Sequence, residues 1–301
     1  MATPTFDLQS HSTHSDGVLP PAEVVAAAAA AGVELLALSD HDTVSGIDEA
    51  RAAADQHGIA LVPAVEISAV DAAHEDLHVL GYGLDHHDAT LEARLADARA
   101  DRGRRADRMG ARLEELGFAI DDTALQARRD AGRPIGRPHL AQGVLDHPDN
   151  AARLAEEGHG DVSSFIPAYL IPGTPGYLGR ERPTVDEAIG WIHDAGGVAV
   201  WAHPYWDLRD DAEVVGAIDR YGAAGLDGVE VFYAAHDERQ TRLLHAACVE
   251  RDLLTTGSAD FHGPEHKLFS RFRDFATYDL EVRLDSIAAM RPSTSSTSSA
   301  R

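Results

Sequence analysis

The sequence is poor in cysteine and in long apolar runs. The first deficit argues against a disulfide-bonded protein and the second against a membrane-spanning one. Cys248 is the one cysteine, so an intrachain disulfide is excluded and a reducing compartment, the cytoplasm, is expected. The alanine-rich run 24–31 is too short to span a membrane and is interpreted as a packed helix. The N-terminus has no basic segment followed by an apolar one, so no signal peptide is predicted.

Basic residues are also few compared with acidic ones. Lys and Arg together number 26 and Asp and Glu number 50, which gives a net charge of −24. So acidic a surface repels a phosphate backbone, which argues against a duplex nucleic-acid partner. A small anionic substrate stays compatible with this charge, because bound cations reverse its sign locally. We expect no membrane partner, and the oligomeric state is left open.

Apolar runs alternate with helical segments in two parts of the chain, 1–83 and 183–285. The seven predicted strands are 5–9, 33–38, 60–65, 77–83, 198–202, 228–233 and 253–256. Buried strands that alternate with helices are typical of a parallel α/β fold. Residues 84–182 have helical spacing and no strong strand candidate, so they are predicted to form a helical insertion domain. The chain from 286 to 301 ends in a Ser- and Thr-rich segment and is predicted to be disordered.

Six of the seven predicted strands carry His, Asp or Glu at or near their C-terminal ends. These residues are His11 with Asp16, His41, Glu66, His78, His203, and Asp260 with His262. In (β/α) barrels such strand ends meet at one mouth, where the active site lies. Imidazole and carboxylate groups are common ligands of divalent metals. One such histidine is usually structural, but agreement among six strand ends favours a metal site.

These motifs resemble those of the PHP (polymerase and histidinol phosphatase) family. The matching segments are Asp7-Leu8-x-x-His11-Ser12-Thr13-x-Ser15-Asp16-Gly17, Ser39-Asp40-His41-Asp42-Thr43, Val65-Glu66-Ile67-Ser68, His78-Val79-x-Gly81, Gly136-Arg137-Pro138-His139, Ala202-His203-Pro204 and Asp260-Phe261-His262-Gly263. They occur in order over residues 5–265 and are most similar to the branch of 3′,5′-nucleoside bisphosphate phosphatases, some of which also trim RNA from its 5′ end. The family fold is a distorted (β/α)7 barrel, which agrees with the seven predicted strands.

The resemblance implies a trinuclear site in which Glu66 bridges two metals. The implied ligand sets are Gln9, His11, Glu66 and Asp260 for the first metal, Glu66, His78 and His203 for the second, and Asp16, His41 and His262 for the third. Two to three Mn, Fe or Zn ions are expected, because the set contains no thiolate. Such ions lower the pKa of bound water toward ~7. Glu66, Asp260 and His262 are expected to be catalytic.

Arg137 and His139 are expected, from the same resemblance, to bind a phosphate of the substrate. An arginine side chain suits this role because its guanidinium forks onto two phosphate oxygens. From the residues alone, a turn that opens a helix explains the Gly-Arg-Pro-His segment about equally well.

Gln9 is where this chain departs from the family, whose first motif is His-x-His. An amide oxygen is a weaker ligand than imidazole, so the metal that uses position 9 is expected to be loosely held or absent. His14 is expected to be exposed to solvent, with a substitute role as ligand as the alternative. Asp42 is expected to orient His41 or a neighbouring ligand, and the alternative is a helix cap.

Three functions are compatible with the sequence. The favoured one is a metal-dependent phosphoesterase that removes the 3′-phosphate of a nucleoside 3′,5′-bisphosphate. Such an enzyme could also act as a 5′–3′ exonuclease on short RNA. The alternative substrate is histidinol phosphate. An amidohydrolase is disfavoured, since that class often needs a carboxylated lysine, and Lys267, the only lysine, lies beyond the last motif. A non-catalytic metal-binding module is the third, and Gln9 allows it.

Overall fold

The computed structural model describes residues 4–289, apart from 72–73, 75–76, 131–134 and 180–182. Its contacts define two compact units. Residues 1–68, 77–92 and 185–301 belong to the first, and residues 69–76 and 93–184 to the second. The domain limits inferred from the sequence, 84 and 182, remain a proposal.

The first unit is built on a seven-stranded sheet whose spatial order is the chain order. The strands are β1 (Phe6–Asp7), β2 (Leu35–Leu38), β3 (Ala60–Ala69), β4 (Leu77–Tyr82), β5 (Val198–Trp201), β6 (Gly228–Tyr233) and β7 (Leu254–Ser258). The chain around β1 also meets the chain around β7, since Leu8 N donates to Gly257 O at 3.2 Å and His11 N to Phe261 O at 2.8 Å. The sheet is therefore a nearly closed barrel, and the predicted distorted (β/α)7 fold is confirmed.

β4 is the exception to the predicted parallel arrangement. It pairs antiparallel with β5, with Val79 opposite Trp201 and Tyr82 opposite Val198. No described residue between β3 and β4 is helical, and a strand that returns without a crossover helix is expected to reverse direction. The expectation that His78 lies at a C-terminal strand end was therefore wrong. His78 lies near the start of β4, which the reversal places at the end of the barrel where the parallel strands finish.

The interior of the barrel is apolar up to the level of Glu66. Val62 and Ala64 on β3 and Leu80 and Tyr82 on β4 belong to one buried cluster with residues of β1, β2 and β5. Successive side chains of a strand point to opposite faces, so Glu66 shares the face of Val62 and Ala64. The sequence interpretation ended this strand at Val65, whereas β3 continues to Ala69 and Glu66 is a residue within it.

Helices connect the strands of the first unit. They are α1 (Pro21–Ala30), α2 (Ile47–His57), α8 (Val185–Asp194), α9 (Pro204–Asp207), α10 (Asp211–Ala223), α11 (Glu238–Glu250) and α12 (Asp285–Ala289). Gly58 ends α2 with a φ of 70°, a conformation that costs glycine little. The start of the predicted disordered tail is wrong, because residues 286–289 continue α12 and Ile287 is fully buried. Residues 290–301 lie outside the described part.

The second unit is mainly helical in its described residues from 93 to 184. Its helices are α3 (Ala89–Glu115, which begins in the first unit), α4 (Thr123–Asp130), α5 (Arg137–Asp146), a 3₁₀ turn (Pro148–Asn150), α6 (Ala151–Glu157) and α7 (Val162–Tyr169). Helix α7 forms although Pro167 lies inside it and proline is a poor helix former. In the described parts of the chain, no helix combines the length and the apolar character needed to cross a membrane.

Candidate metal centre

The nine predicted ligands lie together at one mouth of the barrel. The segments that follow the parallel strands carry Gln9, His11 and Asp16 after β1, His41 after β2, His203 after β5, and Asp260 and His262 after β7, while Glu66 lies within β3 and His78 near the start of β4. Residues separated by up to about 250 positions thus form one cluster, as expected for side chains at the active end of a barrel.

Glu66 is at the centre of this cluster and its side chain is only 1% exposed. Its Oε1 lies 2.7 Å from His78 Nδ1 and 3.1 Å from His203 Nε2. Its Oε2 lies 3.1 Å from His11 Nε2 and 3.5 Å from His41 Nδ1. Each carboxylate oxygen therefore faces a different pair of imidazoles. This is the arrangement a carboxylate needs in order to bridge two cations.

The remaining donors can be compared with the three implied ligand sets, although the atoms of Glu66 and His78 also group with His41. His11 Nε2 lies 3.1 Å from Asp260 Oδ1. His78 Nδ1 lies 3.3 Å from His203 Nε2. The third group is formed around Asp16, whose Oδ2 is 3.5 Å from His41 Nε2 and whose Oδ1 is 3.5 Å from His262 Nε2. The first and third groups each hold donor atoms that lie within 4.8 Å of one another.

The nitrogen and oxygen atoms of this cluster are better suited to coordinating a cation than to hydrogen-bonding with one another. His11 Nε2, His41 Nδ1 and Asp260 Oδ1 are buried and make no hydrogen bond of normal geometry, although His11 Nε2 and Asp260 Oδ1 are only 3.1 Å apart. In the described part of the chain, the ion-pair partners of Glu66 are all histidines. Buried charges in proteins are normally paired or coordinate metals. Buried nitrogen and oxygen atoms that lie close together without normal hydrogen bonds are therefore suited to binding a metal ion. The chemistry of the set suits Mn, Fe or Zn.

The ionisation of the cluster is set by burial and by its mixed charges. Burial raises the pKa of Glu66, but the imidazoles of His41, His78, His11 and His203 outweigh it and hold that pKa well below its usual range. Burial lowers the pKa of His41 to about 4, so this imidazole is neutral. Burial also lowers the pKa of His203, yet Glu66 reverses the effect and raises it to about 10. Protons on some imidazoles thus balance the carboxylates, and metal ions would displace those protons.

Two ligands project from strand ends whose backbone is in the left-handed region. His203 has a φ of 30° and Asp260 a φ of 54°. Non-glycine residues adopt this region rarely, although His and Asp are enriched there, and such positions are concentrated at functional sites. The turn after β5 and the turn after β7 therefore direct these two side chains back over the barrel.

The turn with His11 and Asp16 is held by Asp40. Ser12 N and Ser15 Oγ donate to Asp40 Oδ1 at 2.7 and 2.6 Å, and Ser12 Oγ donates to its Oδ2 at 2.6 Å. The neighbouring Asp42 accepts hydrogen bonds from Ser68 N and Ser68 Oγ at 2.8 and 3.3 Å, which fastens the His41 loop to β3. Both aspartates therefore position ligand-bearing loops.

Tyr233 is a site residue that the sequence reasoning missed. Its hydroxyl donates to Asp260 Oδ2 at 2.8 Å, which directs Oδ1 of the same carboxylate toward His11. Hydrogen bonds of this kind orient metal ligands and are a regular part of metal sites. In the sequence, Tyr233 is the last residue of a predicted strand. An aromatic residue at that position is easily interpreted as part of the core.

Gln9 contacts Glu66 through its amide nitrogen. Gln9 Nε2 donates to Glu66 Oε2 at 3.0 Å, and Ser258 Oγ donates to Gln9 Oε1 at 3.3 Å. The oxygen expected to be a weak ligand thus faces Ser258, and the amide supports the bridging carboxylate. His14 is exposed, as expected, and is not among the clustered donors of the described residues.

We predict that replacing Gln9 by His will tighten the metal that His11, Glu66 and Asp260 share. An imidazole adds a strong metal ligand at a position where the amide supplies only a hydrogen bond. We expect metal affinity to rise by about 10–100-fold, which is the size of the loss when a group that supports a metal ligand is removed. Elemental analysis after dialysis would measure it, with Gln9→Asn as the control that keeps an amide. Equal metal content in wild type and Gln9→His would show that position 9 does not limit metal binding.

Arg137 and His139 lie at the start of α5 in the second unit. Gly136 N donates to His139 Nδ1 at 3.0 Å, so this imidazole satisfies a backbone donor at the beginning of the helix. That contact favours the turn interpretation for His139. The phosphate-binding role of both residues stays a prediction.

Comparison with known proteins decides between the candidate classes. The family model of the PHP domain matches residues 7–120. A 3′,5′-nucleoside bisphosphate phosphatase of Chromobacterium violaceum is 36% identical over 261 residues, which cover 86% of this chain and 87% of the relative. The chain belongs to the PHP family. A 5′-3′ exoribonuclease of Haemophilus influenzae is 34% identical over 262 residues, which cover 87% of this PHP chain and 91% of that protein.

A solved structure agrees with the fold of this PHP protein. It is an amidohydrolase from Chromobacterium violaceum with bound sulfate and no metal, and it matches 97% of this chain and 99% of its own with a TM-score of 0.80 and 32% identity. The relatives identify this PHP protein as a phosphoesterase, so the non-catalytic alternative is not supported. The lysine-bridged amidohydrolase site is not supported either, since Glu66 has the central position and Lys267 lies in an exposed loop.

Proposed function

We propose that this PHP protein holds three divalent cations, Mn, Fe or Zn, and removes the 3′-phosphate of a nucleoside 3′,5′-bisphosphate. The observation that carries the proposal is the buried Glu66 carboxylate, each of whose oxygens faces a different pair of histidines. The name of the Chromobacterium violaceum relative supports the substrate class.

The proposed chemistry follows from the charge of the mouth. Bound cations would supply hydroxide from coordinated water near neutral pH and would neutralise the phosphate oxygens. Only three carboxylates are in the ligand set, those of Asp16, Glu66 and Asp260, so three divalent cations would leave the mouth positive on an acidic protein. That local reversal of sign attracts a phosphate dianion.

The protein's own side chains supply orientation. His262 Nδ1 lies 2.7 Å from the carbonyl oxygen of Asp260 and donates to it, so Nε2, which is 3.5 Å from Asp16 Oδ1, is the ring nitrogen that would bind a cation. Tyr233 fixes the Asp260 carboxylate in the same way. We assign Glu66, Asp260 and His262 to the catalytic set because they would hold the cations that bind the reacting phosphate.

A phosphate-release screen with added Mn²⁺ tests the proposed function. The substrates are adenosine 3′,5′-bisphosphate, adenosine 5′-monophosphate, histidinol phosphate and p-nitrophenyl phosphate. We expect the highest kcat/KM with the bisphosphate, and adenosine 5′-monophosphate as the product. Preference for histidinol phosphate, or release of the 5′-phosphate, would contradict the proposal.

The Haemophilus influenzae relative favours a second activity at the same site, 5′-3′ trimming of short RNA. A 5′-phosphorylated single-stranded RNA of five nucleotides is the probe, and an RNA duplex of the same sequence is its control. Because the chain carries a net charge of −24, we expect single strands to be trimmed and the duplex to be resistant. Trimming of neither probe would limit the enzyme to mononucleotides.

Arg137→Ala is expected to raise KM for adenosine 3′,5′-bisphosphate by about tenfold and to leave KM for p-nitrophenyl phosphate within twofold. The family resemblance implies that Arg137 binds a phosphate of the substrate, and losing a charge-assisted contact worth about 1.5 kcal/mol corresponds to about tenfold in KM. Arg128→Ala, on the preceding helix α4, is the matched control. Equal changes in KM for both substrates would remove Arg137 from recognition of the second phosphate.

A further inference from the structure

Three aromatic rings pack together beside the metal centre, and we name them the aromatic shelf: Trp206 and His266 are exposed, and Phe269 is buried against them. The Trp206 and Phe269 ring centroids are 5.6 Å apart. The His266 and Phe269 rings are stacked, with centroids 5.2 Å apart and planes only 10° from parallel. The shelf thus comes from two segments, the one after β5 and the one after β7.

The shelf is continuous with the candidate metal ligands. Phe269 lies 5.7 Å from the His262 ring and His266 lies 5.3 Å from it. Trp206 N donates to the carbonyl oxygen of His203 at 2.8 Å, because the short helix α9 begins directly after that ligand. By way of Phe269, the Trp206 and His262 rings are no more than about 11 Å apart. The same two strand ends therefore place both ligands and aromatic rings.

The exposure of Trp206 is unusual for so large an apolar side chain, whereas Phe269 is only 7% exposed. Trp206 is 50% exposed, whereas Trp201 on the preceding strand is fully buried. Leu268, next to Phe269, and Val18, whose N donates to His262 O at 2.9 Å, are also exposed. Clustered apolar surface at the rim of a polar site marks a binding surface, whereas a single exposed residue needs no explanation.

We propose that the aromatic shelf binds the nucleobase of the substrate by stacking. This inference rests on the proposed function and names the part of the substrate that the metals do not hold. In a nucleotide, a single sugar separates the flat aromatic base from the phosphate. A ring surface beside a cation site can therefore contact both groups. Stacking accepts every base because each has a π face, and it accounts for a large part of single-strand binding.

The shelf predicts the form of the specificity. It offers rings, and His266 Nδ1 already accepts a hydrogen bond from Phe269 N at 3.0 Å, so few groups are left to distinguish the edges of the bases. We expect purine and pyrimidine nucleotides to be hydrolysed alike in kcat, with lower KM for purines because their larger rings cover more of the shelf. Substrates without a base should gain nothing from it.

Trp206→Ala tests the proposal with a pair of substrates that differ only in the base. The pair is deoxyadenosine 3′,5′-bisphosphate and the abasic tetrahydrofuran 3,5-bisphosphate. We expect KM for the deoxyadenosine compound to rise about tenfold, the usual effect of losing one stacked base, with kcat unchanged, and KM for the abasic compound to stay within twofold. Trp206→Phe should restore most of the loss. Val249→Ala, at an exposed apolar position on α11, is the matched control and should change neither KM.

Equilibrium binding separates this inference from the proposed function. Deoxyadenosine 5′-monophosphate should quench the tryptophan fluorescence of the wild type and not that of Trp206→Phe, whether or not any nucleotide is hydrolysed. Equal KM changes for both substrates, or a loss of metal from Trp206→Ala, would overturn the proposal and would assign Trp206 to support of His203. A dimer in sedimentation that Trp206→Ala dissociates would instead assign the shelf to a second copy of the chain.

Discussion

Replacing Glu66 by Gln will lower kcat for phosphate release by about a thousandfold or more. Removal of a single electrostatic group from an active site costs about 10²–10³ in rate. Glu66 is expected to cost at least that much, because its two oxygens face two separate pairs of histidines. The amide has the same shape but only one oxygen and no charge, so it cannot bridge two cations.

The measurement is single-substrate kinetics with adenosine 3′,5′-bisphosphate at saturating Mn²⁺, together with circular dichroism and metal content. Glu49→Gln makes the same chemical change on the exposed side of α2 and should leave kcat unchanged. We expect Glu66→Gln to remain folded and to lose at least one metal per chain. Near-normal turnover by a folded Glu66→Gln protein would rule out the bridging role.

Stripping metal from the wild type with a chelator will abolish phosphate release and lower Tm by roughly 5–10 °C. A ligand present at 100 times its Kd stabilises the folded state by about 2.7 kcal/mol, and in a domain of this size each kcal/mol corresponds to about 2–4 °C. The metal-free cluster also leaves buried polar atoms such as His11 Nε2 and Asp260 Oδ1 without a hydrogen bond of normal geometry, which is unfavourable.

Differential scanning calorimetry before and after dialysis against EDTA measures the change, and added Mn²⁺ should restore both Tm and activity. The Glu66→Gln protein is the internal control, because its Tm should respond to EDTA less than that of the wild type does. Full activity after complete metal removal, as judged by elemental analysis, would contradict a metal-dependent mechanism.

The sequence predicted which side chains meet at the mouth of the barrel better than it predicted how the strands bring them there. His11, His41 and His203 follow short apolar strands, and the period of such strands can be read from residue order alone. The direction of β4 could not be read in this way. An apolar strand has the same pattern in either direction, and only its pairing with β5 shows that His78 reaches the mouth from the opposite end.

The supporting contacts escaped the sequence for a different reason. Tyr233 and Asp260 are 27 positions apart, and Gln9 and Ser258 are 249 apart, so no local pattern joins them. Gln9 was interpreted as a weakened ligand by analogy with the family histidine, whereas its nitrogen donates to Glu66. In each case a contact made in the folded protein outweighed the local preference.

Anomalous diffraction from crystals grown with Mn²⁺ tests the central claim most directly. Data collected at the Mn edge locate each bound ion without reference to activity. The trinuclear account predicts three peaks, one among His11, Glu66 and Asp260, one among Glu66, His78 and His203, and one among Asp16, His41 and His262, with the first weakened in the native Gln9 protein. A catalytically active crystal with no anomalous peak within bonding distance of Glu66 would contradict it.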